Sequence, residues 1–102
     1  MTTAEAITAA LLDDRALTAD ELACACSVSV DWVVRHVEEG ALECHGESVA
    51  HWRFSSRDLG RARRIRALER DFDAVPELAA LVADMLDEMD ALRTRLRRAG
   101  ML

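Results

Sequence analysis

The chain has 102 residues, 51% of them hydrophobic, with a formal net charge of −6, which suits one domain with a modest core. Its longest apolar run is far too short to cross a bilayer, and residues 1–15 carry acids within and after an apolar stretch that no basic segment precedes, unlike a secretory signal. A cytoplasmic protein with reduced thiols at Cys24, Cys26 and Cys44 is the expectation. Residues 1–54 hold ten acids against three Arg, residues 55–72 six Arg against three acids, and residues 73–102 six acids against four Arg. So acidic an N-terminal half is a poor start for binding phosphate backbones.

Few glycines, one proline and many Ala, Leu, Arg and Glu predict a helical chain. Residues 4–12 are apolar and read as either strand or short helix, with a turn at Asp13, Asp14 and Arg15. Thr18 and Glu21 form a capping-box pattern that starts a helix over about 19–26. Ser27 breaks it, and Ser29 caps a second helix over about 30–39, ended by Gly40. In that helix Val30, Val33, Val34 and Val37 recur at helical spacing. Two short helices around a tight turn predict a helix-turn-helix. Residues 42–54 read as a small hairpin, a wing, turning around Gly46, Glu47 and Ser48.

Ser55 or Ser56 caps a third helix over about 57–72, where Leu59, Ala62, Ile65, Leu68 and Phe72 form one stripe. Its arginines lie mostly off that stripe, with local pairs expected between Asp58 and Arg61 and between Arg66 and Glu69. Pro76 suits the first position of a last helix. Along it Leu78, Val82, Met85, Met89, Leu92 and Leu96 recur at alternating spacings of four and three, an a/d seam. Six large apolar side chains, each contributing about 1.5–3 kcal/mol when buried, call for a partner helix. Glu77, Asp84, Asp87, Glu88 and Asp90 precede Arg93, Arg95, Arg97 and Arg98, so an antiparallel pair sets acid against Arg where a parallel pair stacks like on like. The expected organisation is therefore a helix-turn-helix domain over 1–72 and a dimerisation helix over 73–102, in an all-α fold with a small β wing.

Catalysis, cofactor and metal are not expected. Cys24 and Cys26 are about 200° apart on a helix, and Cys44 with His36, His45 and His51 matches no zinc spacing. No nucleophile elbow, paired zinc histidines or phosphate-cradling glycine loop occurs.

The layout resembles the MerR-type DNA-binding regulators, through Leu22-Ala23, Val28-Ser29-Val30-Asp31, Gly40-Ala41-Leu42 and Trp52-Arg53-Phe54-Ser55. Their groove-facing positions are occupied differently here, by Trp32 and Val34 and by Arg35 and His36. Asp31, Glu38 and Glu39 leave the recognition helix acidic. Only the Arg-rich third helix offers DNA anything, and such a contact would be weak and sequence-blind.

A closer resemblance is to the chaperone-modulator family, CbpM, a MerR-like branch. It runs through Leu17-Thr18-x-x-Glu21-Leu22-Ala23, Val37-Glu38-Glu39-Gly40-Ala41-Leu42-Glu43 and Trp52-Arg53-Phe54-Ser55. It continues through residues 63–71 and Leu86-Asp87-Glu88-Met89-Asp90-Ala91-Leu92. The sequence departs from it in having Ser27 at the helix-turn-helix corner and no Trp before Pro76. The resemblance implies binding to the J-domain of a CbpA/DnaJ-type co-chaperone and inhibition of its stimulation of a DnaK-type chaperone. An acidic protein suits the basic helix of a J-domain. The expected contact residues are Glu38, Glu39 and Glu43, then Asp84, Asp87 and Glu88. Trp32 and Trp52 are expected to pack rather than bind. A MerR-like transcriptional regulator is the alternative.

Overall fold

A computed structural model describes residues 16–101; the apolar segment 4–12 and the turn after it lie outside them. Helix α1 spans Ala19–Cys26 and opens on a complete capping box. The Glu21 amide donates to Thr18 Oγ1 at 3.1 Å, and the Thr18 amide to Glu21 Oε1 at 2.9 Å. Ser27 ends the helix in the left-handed region, φ 57°. Helix α2, Val30–Glu38, starts on Ser29, whose Oγ accepts from the Trp32 amide at 3.2 Å. These two helices are the expected helix-turn-helix pair.

The expected hairpin over 42–54 is not a ladder. Antiparallel contact is reduced to isolated bridges between His45 and Arg53 and between Leu17 and Phe54. Between His45 and Arg53 the chain winds through a single 3-10 turn, Val49–His51. The amides of His51 and Trp52 donate back to the carbonyls of Ser48 and Val49, so they are spent on the turn instead of on a partner strand. Gly46 (φ +129°) sits where a Cβ would be 2.4 Å from the His51 carbonyl oxygen. Only glycine lets the loop close this tightly.

Helix α3, Ser56–Phe72, is capped by Ser55, with Asp58 completing a second capping box. Leu59, Ala62 and Ile65 are buried and Leu68 packs against them, as the stripe predicts, but Phe72 is 75% exposed. The helix ends there, Asp73 turns left-handed with φ 51°, and the last stripe residue finds nothing to cover it.

Helix α4, Pro76–Arg98, starts with Pro76 in its first turn and lies against α3. Its fully buried residues are Ala79 and Ala83, side chains small enough to let two helices approach closely. From Glu88 to Met101 every residue is exposed. The core formed around these elements is centred on Leu17, Leu22, Val33, Leu42, Phe54 and Ile65. Trp32 is buried, and Trp52 packs edge-on against Phe54 with ring centroids 6.4 Å apart, so both tryptophans serve packing.

Candidate partner-binding surface

The outer face of α2 presents Asp31, Arg35, Glu38 and Glu39 to solvent. Trp32 turns inward and stacks on His36, with centroids 3.8 Å apart and 24° between planes. Trp32 is thus committed to the core. Glu38 ends α2 and Glu39 is its C-cap. No ion pair among the described residues involves either of them or Glu43.

Beyond Gly40 the chain passes over the N-terminal half of α3. A polar cleft of about 390 Å³ opens there, lined by Glu43, Arg57, Asp58, Arg61, Asp84 and Asp87 beside the Gly40–Ala41 backbone. It brings Glu43 together with Asp84 and Asp87, residues far apart in sequence. Arg61 organises it. Its Nε donates to the Ala41 carbonyl at 2.6 Å, one terminal nitrogen reaches Asp84 at 2.8 Å, and the other reaches Asp87 at 2.9 Å. Arg64 adds bonds to Asp87 at 2.9 Å and Asp90 at 3.1 Å.

Two local pairs expected from sequence are therefore replaced. Arg61 reaches across to α4 while Asp58 is held at the Ser55 cap. Three of the six arginines of α3, Arg61, Arg64 and Arg70, are tied down by carboxylates of the same chain, which takes them from the basic face a nucleic acid would need. Three α4 acids assigned to a partner's arginines, Asp84, Asp87 and Asp90, already have arginines at home. Glu88 stays exposed.

Sequence reading missed the buried pair between His36 and Glu69. Glu69, one turn from Arg66 on the surface pattern, also follows Ile65 by one helical turn and so continues the buried stripe of α3. His36 follows Trp32 by one turn on the buried face of α2. An acid and a histidine both on inward faces were the signal.

Neither Cys26 nor Cys44 is an activated nucleophile. Burial pushes the Cys26 thiol up, only partly offset by the positive charge of Arg63. Cys44 is raised by burial and then by Asp58. Among the described residues no three His, Cys, Asp or Glu side chains converge as a metal site would require. No described helix is long and apolar enough to cross a membrane.

The amino-acid sequence matches known proteins. The family described as MerR HTH family regulatory protein matches residues 17–99. A chaperone modulatory protein CbpM from Pseudomonas entomophila is 33% identical over 67 residues, 66% of this chain and 66% of that protein. Proteins of the same name from two strains of Coxiella burnetii are 31% identical over 81 residues, 79% of this chain and 76% of theirs. No solved structure matches the chain. With this helix-turn-helix, its appended α4 and relatives of this similarity, the chain belongs to the CbpM chaperone-modulatory family within the MerR-type helix-turn-helix regulatory proteins.

Proposed function

We propose that this protein binds the J-domain of a CbpA/DnaJ-type co-chaperone and so inhibits its stimulation of a DnaK-type chaperone. Glu38, Glu39 and Glu43 carry the contact, and Asp84, Asp87 and Glu88 flank it. The observation that carries the reading is the acidic end of α2 in a chain of this family. Glu38 at the end of α2 and Glu39 and Glu43 after it are exposed and hold no ion pair among the described residues, on a helix that a DNA reader would keep neutral or basic. Exposed charges of one sign steer an encounter with a basic helix. Asp84 and Asp87 are already shared with Arg61, which ranks them second.

In this reading residues 1–72 form the binding head. Residues 73–102 join two copies through Leu78, Val82, Met85, Met89, Leu92 and Leu96. Of these, Leu78, Met85, Met89, Leu92 and Leu96 are each at least 39% exposed on the single chain.

The test is a calorimetric titration of the purified protein with the isolated J-domain from the same organism, beside a titration with duplex DNA at two salt concentrations. Saturable J-domain binding that falls about tenfold or more in the double variant Glu38→Lys, Glu39→Lys supports the reading. So does loss of co-chaperone-stimulated ATP hydrolysis on adding the wild-type protein. No J-domain binding, together with tight DNA binding that weakens steeply in salt, would replace it with a transcriptional regulator acting through α3.

A further inference from the structure

The apolar seam of α4 does not stop at the helix ends. Val75 precedes Leu78 by three residues, in step with the seam, and is 60% exposed; Phe72, on the turn before it, is 75% exposed. At the far end Gly100 takes a left-handed conformation, and the Met101 amide donates back to the Leu96 carbonyl at 2.8 Å while the Gly100 amide donates to Arg97. This closure characteristically brings the residue after the glycine over the last helical turn. It folds Met101 back beside Leu96, the last seam residue, where it is 71% exposed. Both ends of the seam thus carry an extra large apolar group with no cover.

Within one chain these groups cannot meet, because α4 has 23 residues and is about 35 Å long. An antiparallel second copy, centred between Met85 and Met89, sets Leu78 against Leu96 and Val82 against Leu92. The next groups outward are then Val75 and Phe72 of one copy and Met101 of the other. A parallel copy would instead set Phe72 on Phe72 and Met101 on Met101. Charge favours the antiparallel order. It places Glu77 of one copy beside Arg97 of the other. Three of the four acids around the crossing, Asp84, Asp87 and Asp90, are paired within their own chain by Arg61 and Arg64, which leaves Glu88 as the one acid there without an ion pair among the described residues.

We propose that the turn between α3 and α4, at Phe72 and Val75, is the docking site for Met101, just past the end of α4, of a second, antiparallel copy, one such contact closing each end of the dimer. The contact rests on the dimer reading given above, and it explains why a stripe residue of α3 is left out of its own core.

Analytical ultracentrifugation of the full chain separates the two. Leu92→Asp, in the seam itself, is expected to give monomer. Phe72→Ala and Met101→Ala, both at exposed positions that leave the single-chain core intact, are each expected to raise the dimer dissociation constant about tenfold while the helical circular dichroism stays unchanged. A second measurement places p-benzoylphenylalanine at position 72, mixes that protein with 15N-labelled wild type, and identifies crosslinked peptides after irradiation. A crosslink from position 72 of one copy to Met101 of the other is expected. A wild-type protein that is monomeric at all concentrations overturns the dimer reading and this contact with it. A stable dimer whose dissociation constant neither alanine variant changes, or whose crosslink joins position 72 to the same region of the other copy, overturns the contact alone.

Discussion

The imidazole of His36, on α2, meets the carboxylate of Glu69, on α3, at 2.9 Å, and its other ring nitrogen lies 2.7 Å from the Trp32 carbonyl oxygen. A carbonyl can only accept, so Nδ1 carries a proton. Nε2 then shares a second proton with Glu69, whichever of the two holds it. His36 is fully buried, and the Glu69 side chain is 16% exposed. This pair is the polar tie between the recognition helix and the body of the domain.

Removing either partner leaves the other without its hydrogen bond in a largely enclosed site. His36→Ala deletes a stacked ring and both hydrogen bonds and is expected to destabilise the fold by about 3 kcal/mol. Glu69→Ala is expected to follow closely. Glu69→Gln is expected to stay within about 1 kcal/mol, because an amide NH₂ can donate to an unprotonated Nε2. Urea unfolding of the three variants checks the order; equal losses for Glu69→Gln and Glu69→Ala would show that an amide cannot take the carboxylate's place at Nε2.

Arg61 is the clasp between α4 and the rest of the domain. Its carboxylate partners are substantially exposed, at 65% for Asp84 and 42% for Asp87, so solvent screens them and the ion pairs add little each. The bond to the Ala41 carbonyl is better shielded. Arg61→Ala is expected to lower stability by about 1–2 kcal/mol. Arg61→Lys should recover only part of it, since an ammonium lacks the planar fork that reaches three acceptors at once. The difference between wild type and Arg61→Ala should shrink as salt is raised, which thermal unfolding at two ionic strengths will read.

The cysteines should separate by reactivity. Cys24 is exposed and Cys26 is buried, with its thiol raised by desolvation. A thiol-specific reagent at neutral pH is expected to label Cys24 first and Cys26 only slowly, since the thiolate is the reactive form. The linkage has a definite sign. A raised folded-state value means that Cys26 contributes stability while neutral, in full below the ordinary thiol range. That contribution is lost as pH rises through the raised value. Melting temperatures should therefore fall on the alkaline side more in wild type than in Cys26→Ala. Equal alkaline slopes would remove Cys26 as the cause.

Much of the architecture was legible before any coordinates. Thr18 with Glu21, Ser29 and Pro76 mark helix starts because their backbone and side-chain chemistry acts over three or four residues. Gly40 marks a stop for the same local reason. The seam from Leu78 to Leu96 was equally plain, because a period of alternating four and three needs no knowledge of what faces it. The acids Glu38, Glu39 and Glu43 could be picked out for their sign alone.

What the sequence could not decide was which long-range partners each side chain finds. Arg61 and Asp58 are one turn apart, as a local pair should be, yet Arg61 reaches α4 because the packing of Ala79 and Ala83 brings that helix close. Glu69 looked like a surface acid until α2 laid His36 over it. The wing failed as a ladder because the turn through Val49–His51 uses the amides that strands would share. Phe72 had the spacing of a core residue, but burial requires a neighbour, and the left-handed Asp73 ends the helix before one arrives. Local hydrogen bonding and periodicity are properties of the chain. Ion pairing and burial are properties of whatever the fold sets opposite, and here only the tertiary structure supplied it.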